Sequence, residues 1–103
     1  MLAEAGDVEV VAQAWNGPEG LRLARLHGPD AVILDLNLPG MHGLEVLALL
    51  KAEPSPPAVI ILTNHAHERY RAACLRGGAD DFLDKSGDLD RVASAVASAV
   101  RRK

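Results

Sequence analysis

Three polar residues each follow a short, mostly apolar run. Asp35 follows Ala31-Val32-Ile33-Leu34, Thr63 follows Val59-Ile60-Ile61-Leu62, and Lys85 follows Phe82-Leu83-Asp84. Each run reads as a buried strand. The carboxyl ends of strands in open α/β sheets are the rim where ligands bind and chemistry is done. An acid, a hydroxyl and an ammonium at three successive strand ends would converge on one pocket. A positioned carboxylate is a nucleophile, and a cation beside it offsets charge on a transferred group. The set suits an anionic group carried covalently by Asp35.

The elements that must position these residues alternate between strand and helix. Val8 to Ala12 reads as a short strand. Asn16 is placed to cap a helix whose first turn holds Pro18. That helix should bury Leu21, Ala24 and one of Leu23 or Leu26, and stop before Gly28-Pro29. Residues 31–36, apolar except for Asp35, are expected to form a strand covered on both faces. Helices follow over 44–52, ended by Pro54 and Pro56-Pro57, and over 68–76, ended by Gly77-Gly78. Strands are expected over 58–62 and 81–84. The last helix is expected over 89–102, with Asp88 as its cap and Leu89, Val92, Ala93, Val96 and Val100 at helical spacing. Repeated βα units imply a parallel sheet with helices on both faces and right-handed connections. The strand ends bearing Asp35, Thr63 and Lys85 then point the same way.

The chain has 103 residues, 49% hydrophobic and 24% charged, which is the size and makeup of one soluble globular domain spanning residues 1–103. A net charge of −3 argues against an extended nucleic-acid or anionic-membrane surface. One cysteine excludes an intrachain disulfide and fits a reducing cytosol. No apolar stretch approaches the ~18 residues needed to span a bilayer, and the start has no signal-peptide pattern. A cytoplasmic location is expected.

Longer motifs surround the three residues. They are residues 29–43, PDAVILDLNLPGMHG; residues 61–66, ILTNHA; and residues 78–86, GADDFLDKS. In this order and spacing they resemble the receiver domain of bacterial two-component response regulators, over nearly the whole chain. The stretch from Tyr70 to Ser86 looks most like stand-alone receivers that carry no output domain. The resemblance implies a flavodoxin-like, doubly wound parallel sheet. It implies Asp35 as the phosphoacceptor that attacks the phosphohistidine of a sensor histidine kinase. It also implies that Asn37 offers its backbone carbonyl to Mg²⁺ beside Asp35, that Thr63 and Lys85 bind the phosphoryl group, and that Thr63 and Phe82 form the switch. Output would pass to a downstream protein through the face from Glu68 to Arg101, with no nucleic acid or membrane as partner.

One departure stands out. The family's first strand ends in two adjacent acids that hold the metal, and no such pair occurs before Val8. Glu4 and Asp7 are single acids in the wrong place. The sheet is therefore expected to be truncated to about four strands, lacking the first strand and most of the first helix. It would either close up or be completed by a second copy as a homodimer. The metal site is expected to be incomplete, because Mg²⁺ favours octahedral oxygen coordination. Without the cation, two unit charges ~4 Å apart repel by about 4 kcal/mol at an effective dielectric near 20. Slow or absent phosphorylation of this polypeptide is the expectation.

Taken singly, the residues have plainer readings. Asp35 could be a loop acid, Thr63 a helix cap, Lys85 a surface partner of Asp84 or Asp88, and Phe82 a core aromatic. His42, His65 and His67 lack ligand spacing and read as solvated. Cys74 reads as a small core residue. Trp15 reads as packing under a loop. Three functions compete. The first is a signalling phosphoacceptor. The second is a phosphorylation-independent interaction module. The third is a phosphatase working through an aspartyl phosphate, an enzyme that would need a second acid where Asn37 stands. The third fits least, so no enzymatic activity is expected.

Overall fold

A computed structural model describes residues 16–35, 43–64 and 68–101. The first helix, α1 (Gly17–His27), begins where local chemistry dictates. The Asn16 side chain accepts the Glu19 N–H at 2.8 Å, and Pro18 occupies the first turn. It ends at Gly28, whose φ of 56° is left-handed and whose N–H returns to the Ala24 carbonyl. Leu21 is buried and Ala24 packs against the core, whereas Leu26 is 68% exposed. It lies about 140° round the helix from the buried Leu21, which turns it outward, so it is not a core residue.

The remaining elements are β1 (Ala31–Leu34), α2 (Gly43–Lys51), β2 (Ala58–Thr63), α3 (Glu68–Arg76), β3 (Asp81–Asp84), a 3-10 turn (Leu89–Arg91) and α4 (Val92–Arg101). The described strands form one parallel sheet in the order β1-β2-β3. The expected strand near Val8 lies outside the described residues. The expected last helix differs at its start, because Leu89–Arg91 is a tight 3-10 turn and the α-helix begins at Val92.

Period-two alternation divides the strands between two cores. Val59, Ile61, Leu34 and Phe82 face α1, α2 and Cys74 of α3. Ala58, Ile60 and Leu83 face α4, through Val92, Ala95, Val96 and Ala99. The central strand β2 is the most thoroughly covered, with Val59, Ile60 and Ile61 all at zero exposure. Burying such a side chain contributes about 1.5–3 kcal/mol, so β2 anchors the sheet. In β1 only Leu34 is fully buried, while Ala31, Val32 and Ile33 are half-buried. The apolar run there is less covered than its sequence implied.

The rim opposite Asp35 is pinned by Asp80. Its carboxylate accepts the Val59 N–H at 2.7 Å and the Lys51 ammonium at 2.8 Å, and Lys51 also donates to the Pro57 carbonyl at 2.9 Å. The Lys51 stem passes so close to Gly78 (φ 101°) that a Cβ there would lie 3.2 Å from it. This ties α2, β2 and the start of β3 together at one rim of the sheet.

Candidate functional site

Because the strands are parallel and in register, their carboxyl ends share one rim. Leu34 pairs with Ile61, so β1 ends two residues short of β2. Thr63 is the last residue of β2, not the first beyond it, and is paired with Asp84. One step further, the Lys85 N–H donates to the Thr63 carbonyl at 3.0 Å. That bond carries the ladder past the end of β3 and fixes where the Lys85 side chain starts.

The Lys85 ammonium is ion-paired and hydrogen-bonded to Asp35 Oδ2, although the two residues are 50 positions apart. The side chains are 32% and 27% exposed, so water still reaches the pair. The local partners considered for Lys85 are otherwise engaged. Asp84 Oδ1 accepts the Ser86 N–H at 2.8 Å and the Ser86 hydroxyl at 2.7 Å. Asp88 Oδ2 accepts the Asp84 N–H at 3.0 Å, and its Oδ1 meets Arg91 at 3.2 Å. The Asp84 N–H bond, with Arg91 adding to it, holds the Asp88 carboxyl below the usual carboxylate range. Asp88 was expected to cap the last helix through its side chain. Its carboxylate instead folds back onto β3, and its carbonyl accepts the Arg91 N–H that opens the 3-10 turn.

Thr63 has zero exposure, and among the described residues no buried side-chain polar atom lacks a hydrogen-bond partner. Counting by two from Ile61 puts Thr63 on the sheet face that also carries Phe82. Phe82 is 5% exposed, so its ring is inward in this structure. Cys74 is fully buried, and burial pushes its thiol up. Asn37, His42, His65, His67 and Trp15 lie outside the described residues.

Among the described residues no group of three or more acid, histidine or cysteine side chains could hold a metal ion. The described donor set at the rim is the Asp35 carboxylate, already beside an ammonium. By itself that is an incomplete set for Mg²⁺, which receiver domains usually bind. A cleft of about 340 Å³ opens at the opposite rim, lined by residues such as Arg25, Pro29, Leu50, Glu53 and Pro57, and holds none of the three site residues.

The family model for the response regulator receiver domain matches residues 1–97. The chain belongs to the response-regulator receiver family. It is 34% identical over 96 residues to the nitrate/nitrite response regulator protein NarL of Escherichia coli, covering 93% of this chain and 44% of that protein. It is 35% identical over 96 residues to the virulence-factor transcription regulator BvgA of Bordetella pertussis, covering 93% and 46%. The chain thus spans less than half the length of these curated relatives. Among solved structures it resembles the signal receiver domain of the response regulator named NarL in Mycobacterium tuberculosis. There the TM-score is 0.90 at 30% identity, over 99% of this chain and 82% of that one. A Burkholderia pseudomallei response regulator solved with a phosphorylated aspartic acid, a calcium ion and citrate gives a TM-score of 0.77 at 26% identity, over 98% and 61%. These neighbours bear out the flavodoxin-like α/β class of this receiver. No helix among the described residues is long and apolar enough to cross a membrane.

Proposed function

We propose that this receiver accepts a phosphoryl group on Asp35 from a sensor histidine kinase. An Asp35 carboxylate oxygen would attack the phosphohistidine phosphorus. The new O–P bond forms as the P–N bond breaks, and the electron pair ends on the imidazole nitrogen, which takes a proton from water. Lys85 is assigned to the charge on the transferring group and Thr63 to its oxygens. The observation that carries this reading is the ion pair between Lys85 and Asp35, made across two strand ends in preference to nearer acids. Thr63 and Phe82 are assigned the switch, since they share one sheet face. Output is assigned to the face from Glu68 to Arg101, read by a downstream protein in the cytoplasm. Mg²⁺ is the family's cation, with the Asn37 carbonyl as its second contributor beside Asp35.

Acetyl phosphate with Mg²⁺, followed by intact mass, tests the assignment. Two forms are compared: the 103-residue chain, and one extended by a strand ending in two acids. The extended form should gain one phosphoryl group and lose that gain in Asp35→Ala. The 103-residue chain should gain it slowly. An extended form that stays unmodified, or an Asp35→Ala variant that is still modified, would overturn the reading. Rapid modification of the 103-residue chain would overturn the importance given to the acidic pair.

A further inference from the structure

Lys85 stands on a four-residue connection, 85–88, between β3 and the 3-10 turn, and its reach to Asp35 depends on the path of that connection. A lysine side chain has a flexible four-carbon stem and much rotamer freedom. Only a fixed backbone origin keeps its ammonium near one acid. The Thr63 carbonyl holds one side of the origin through the Lys85 N–H. Asp88 holds the other side twice. Its own N–H donates to the Asp84 carbonyl at 2.7 Å, and its carboxylate accepts the Asp84 N–H at 3.0 Å. Asp84 and Asp88 are therefore joined in both directions, closing a ring around Lys85, Ser86 and Gly87. Gly87 adds a bond to the Asp84 carbonyl at 3.2 Å, and Arg91 steadies the Asp88 carboxylate from outside.

We propose that Asp88 is a positioning residue, whose carboxylate clamps the 85–88 connection to the end of β3 and so holds the Lys85 ammonium at Asp35. This rests on the assignment of Lys85 and Asp35 to the phosphoryl site. Its consequence is that a residue 53 positions from the acid, and touching neither the acid nor the ammonium in any bond described above, sets how well the cation is aimed. A carboxylate is suited to the task because it accepts a backbone N–H more strongly than a neutral oxygen does. Asparagine keeps an acceptor oxygen at the same reach, whereas alanine removes it.

The amine reactivity of Lys85 reads this directly. The intact chain is treated briefly with acetic anhydride, and acylation of Lys85 is measured by peptide mass spectrometry relative to Lys51, which is paired at the far rim. Asp88→Ala should raise the Lys85-to-Lys51 ratio by about threefold or more, Asp88→Asn should stay within about twofold of the parent, and Asp35→Ala should raise it at least as far as Asp88→Ala. An unchanged ratio in Asp35→Ala would remove the ion pair itself, and with it the function proposed above. A raised ratio in Asp35→Ala with an unchanged one in Asp88→Ala would overturn the clamp alone. So would equal increases in Asp88→Ala and Asp88→Asn. Should Asp88→Ala fail to fold, the parent chain decides the matter. Its Asp84 amide should exchange slowly with solvent and shift as Asp88 titrates, and a fast, pH-insensitive Asp84 amide would overturn the clamp.

Discussion

If the Asp35–Lys85 pair is the heart of the site, its strength can be measured without any phosphoryl donor. A double-mutant cycle of Asp35→Ala, Lys85→Ala and the double variant isolates the pairwise energy. Unit charges ~4 Å apart attract by about 4 kcal/mol at an effective dielectric near 20. That is the gross attraction, and three things reduce it: desolvation, the ordering of a long side chain, and screening by water. Fully exposed pairs retain about 0.2–1 kcal/mol, while breaking a buried pair costs about 3–5 kcal/mol. With exposures of 32% and 27%, this pair falls between those limits. A coupling of about 1–2 kcal/mol is expected, a factor of roughly 5–30 in the folding equilibrium. Urea unfolding followed by far-UV circular dichroism gives all four stabilities. The coupling should fall by about half or more between 0.1 M and 1 M salt, as the Debye length shortens from about 10 to 3 Å. A coupling below about 0.3 kcal/mol, the scatter of independent sites, would mean that the two charges do not meet in solution, and the convergence of the strand ends would lose its chief support.

Other regions give separate tests. Asp80→Ala removes the acceptor for the Val59 N–H and the partner of Lys51. It should cost about 2–4 kcal/mol in urea unfolding, since it breaks a charge-assisted bond to a buried strand. Asp80→Asn should cost less than half as much, and equal losses would show that charge alone matters. For Asp88, whose carboxyl is held below its ordinary value, the sign of linkage is fixed: its contribution is present above the unfolded value of about 3.9 and fades as pH falls through the lower folded value. The stability gap between the parent and Asp88→Asn should therefore narrow on acidification from about pH 5 to pH 2, and a gap that widens would refute the assignment. Cys74, buried and with its thiol pushed up, should react with a disulfide reagent about 100-fold more slowly in the native chain than in urea. Comparable rates would show that α3 is not packed as described.

How far the sequence reveals this arrangement depends on how local each determinant is. The cap at Asn16, the proline in the first turn and the stop at Gly28 act within one helix, and all were legible. The apolar runs ending at Leu34 and Thr63 mark strands by their length and β-branched content, so the rim itself could be read. Two features could not. Asp88 precedes a helix, and sequence chemistry offers it the helix N–H groups. The fold instead offers it the Asp84 N–H on the outer described strand, and that interaction prevails. Lys51 and Asp80 are 29 residues apart and match no local pattern. Their pairing exists only because α2 and the start of β3 both meet β2. For Lys85 the local chemistry pointed equally to Asp84 and Asp88 and the family resemblance pointed to a phosphoryl group, whereas the structure pairs it with Asp35.

Those two illegible features have a common logic. Each is a carboxylate that accepts a backbone N–H of the sheet, one at either end of β3: Asp80 through Val59, Asp88 through Asp84. Main-chain groups left open at a strand end are costly if buried and invite wrong pairing if exposed. A carboxylate from a neighbouring loop resolves both problems and fixes the loop that supplies it. At the Asp80 end the loop joins α3 to β3, and the result is stability. At the Asp88 end the loop bears Lys85, and the same device aims a cation at Asp35. Precision at the rim then comes from the sheet's own need for hydrogen-bond partners. It should survive changes on the outer faces of α1 and α4 that leave these two carboxylates in place.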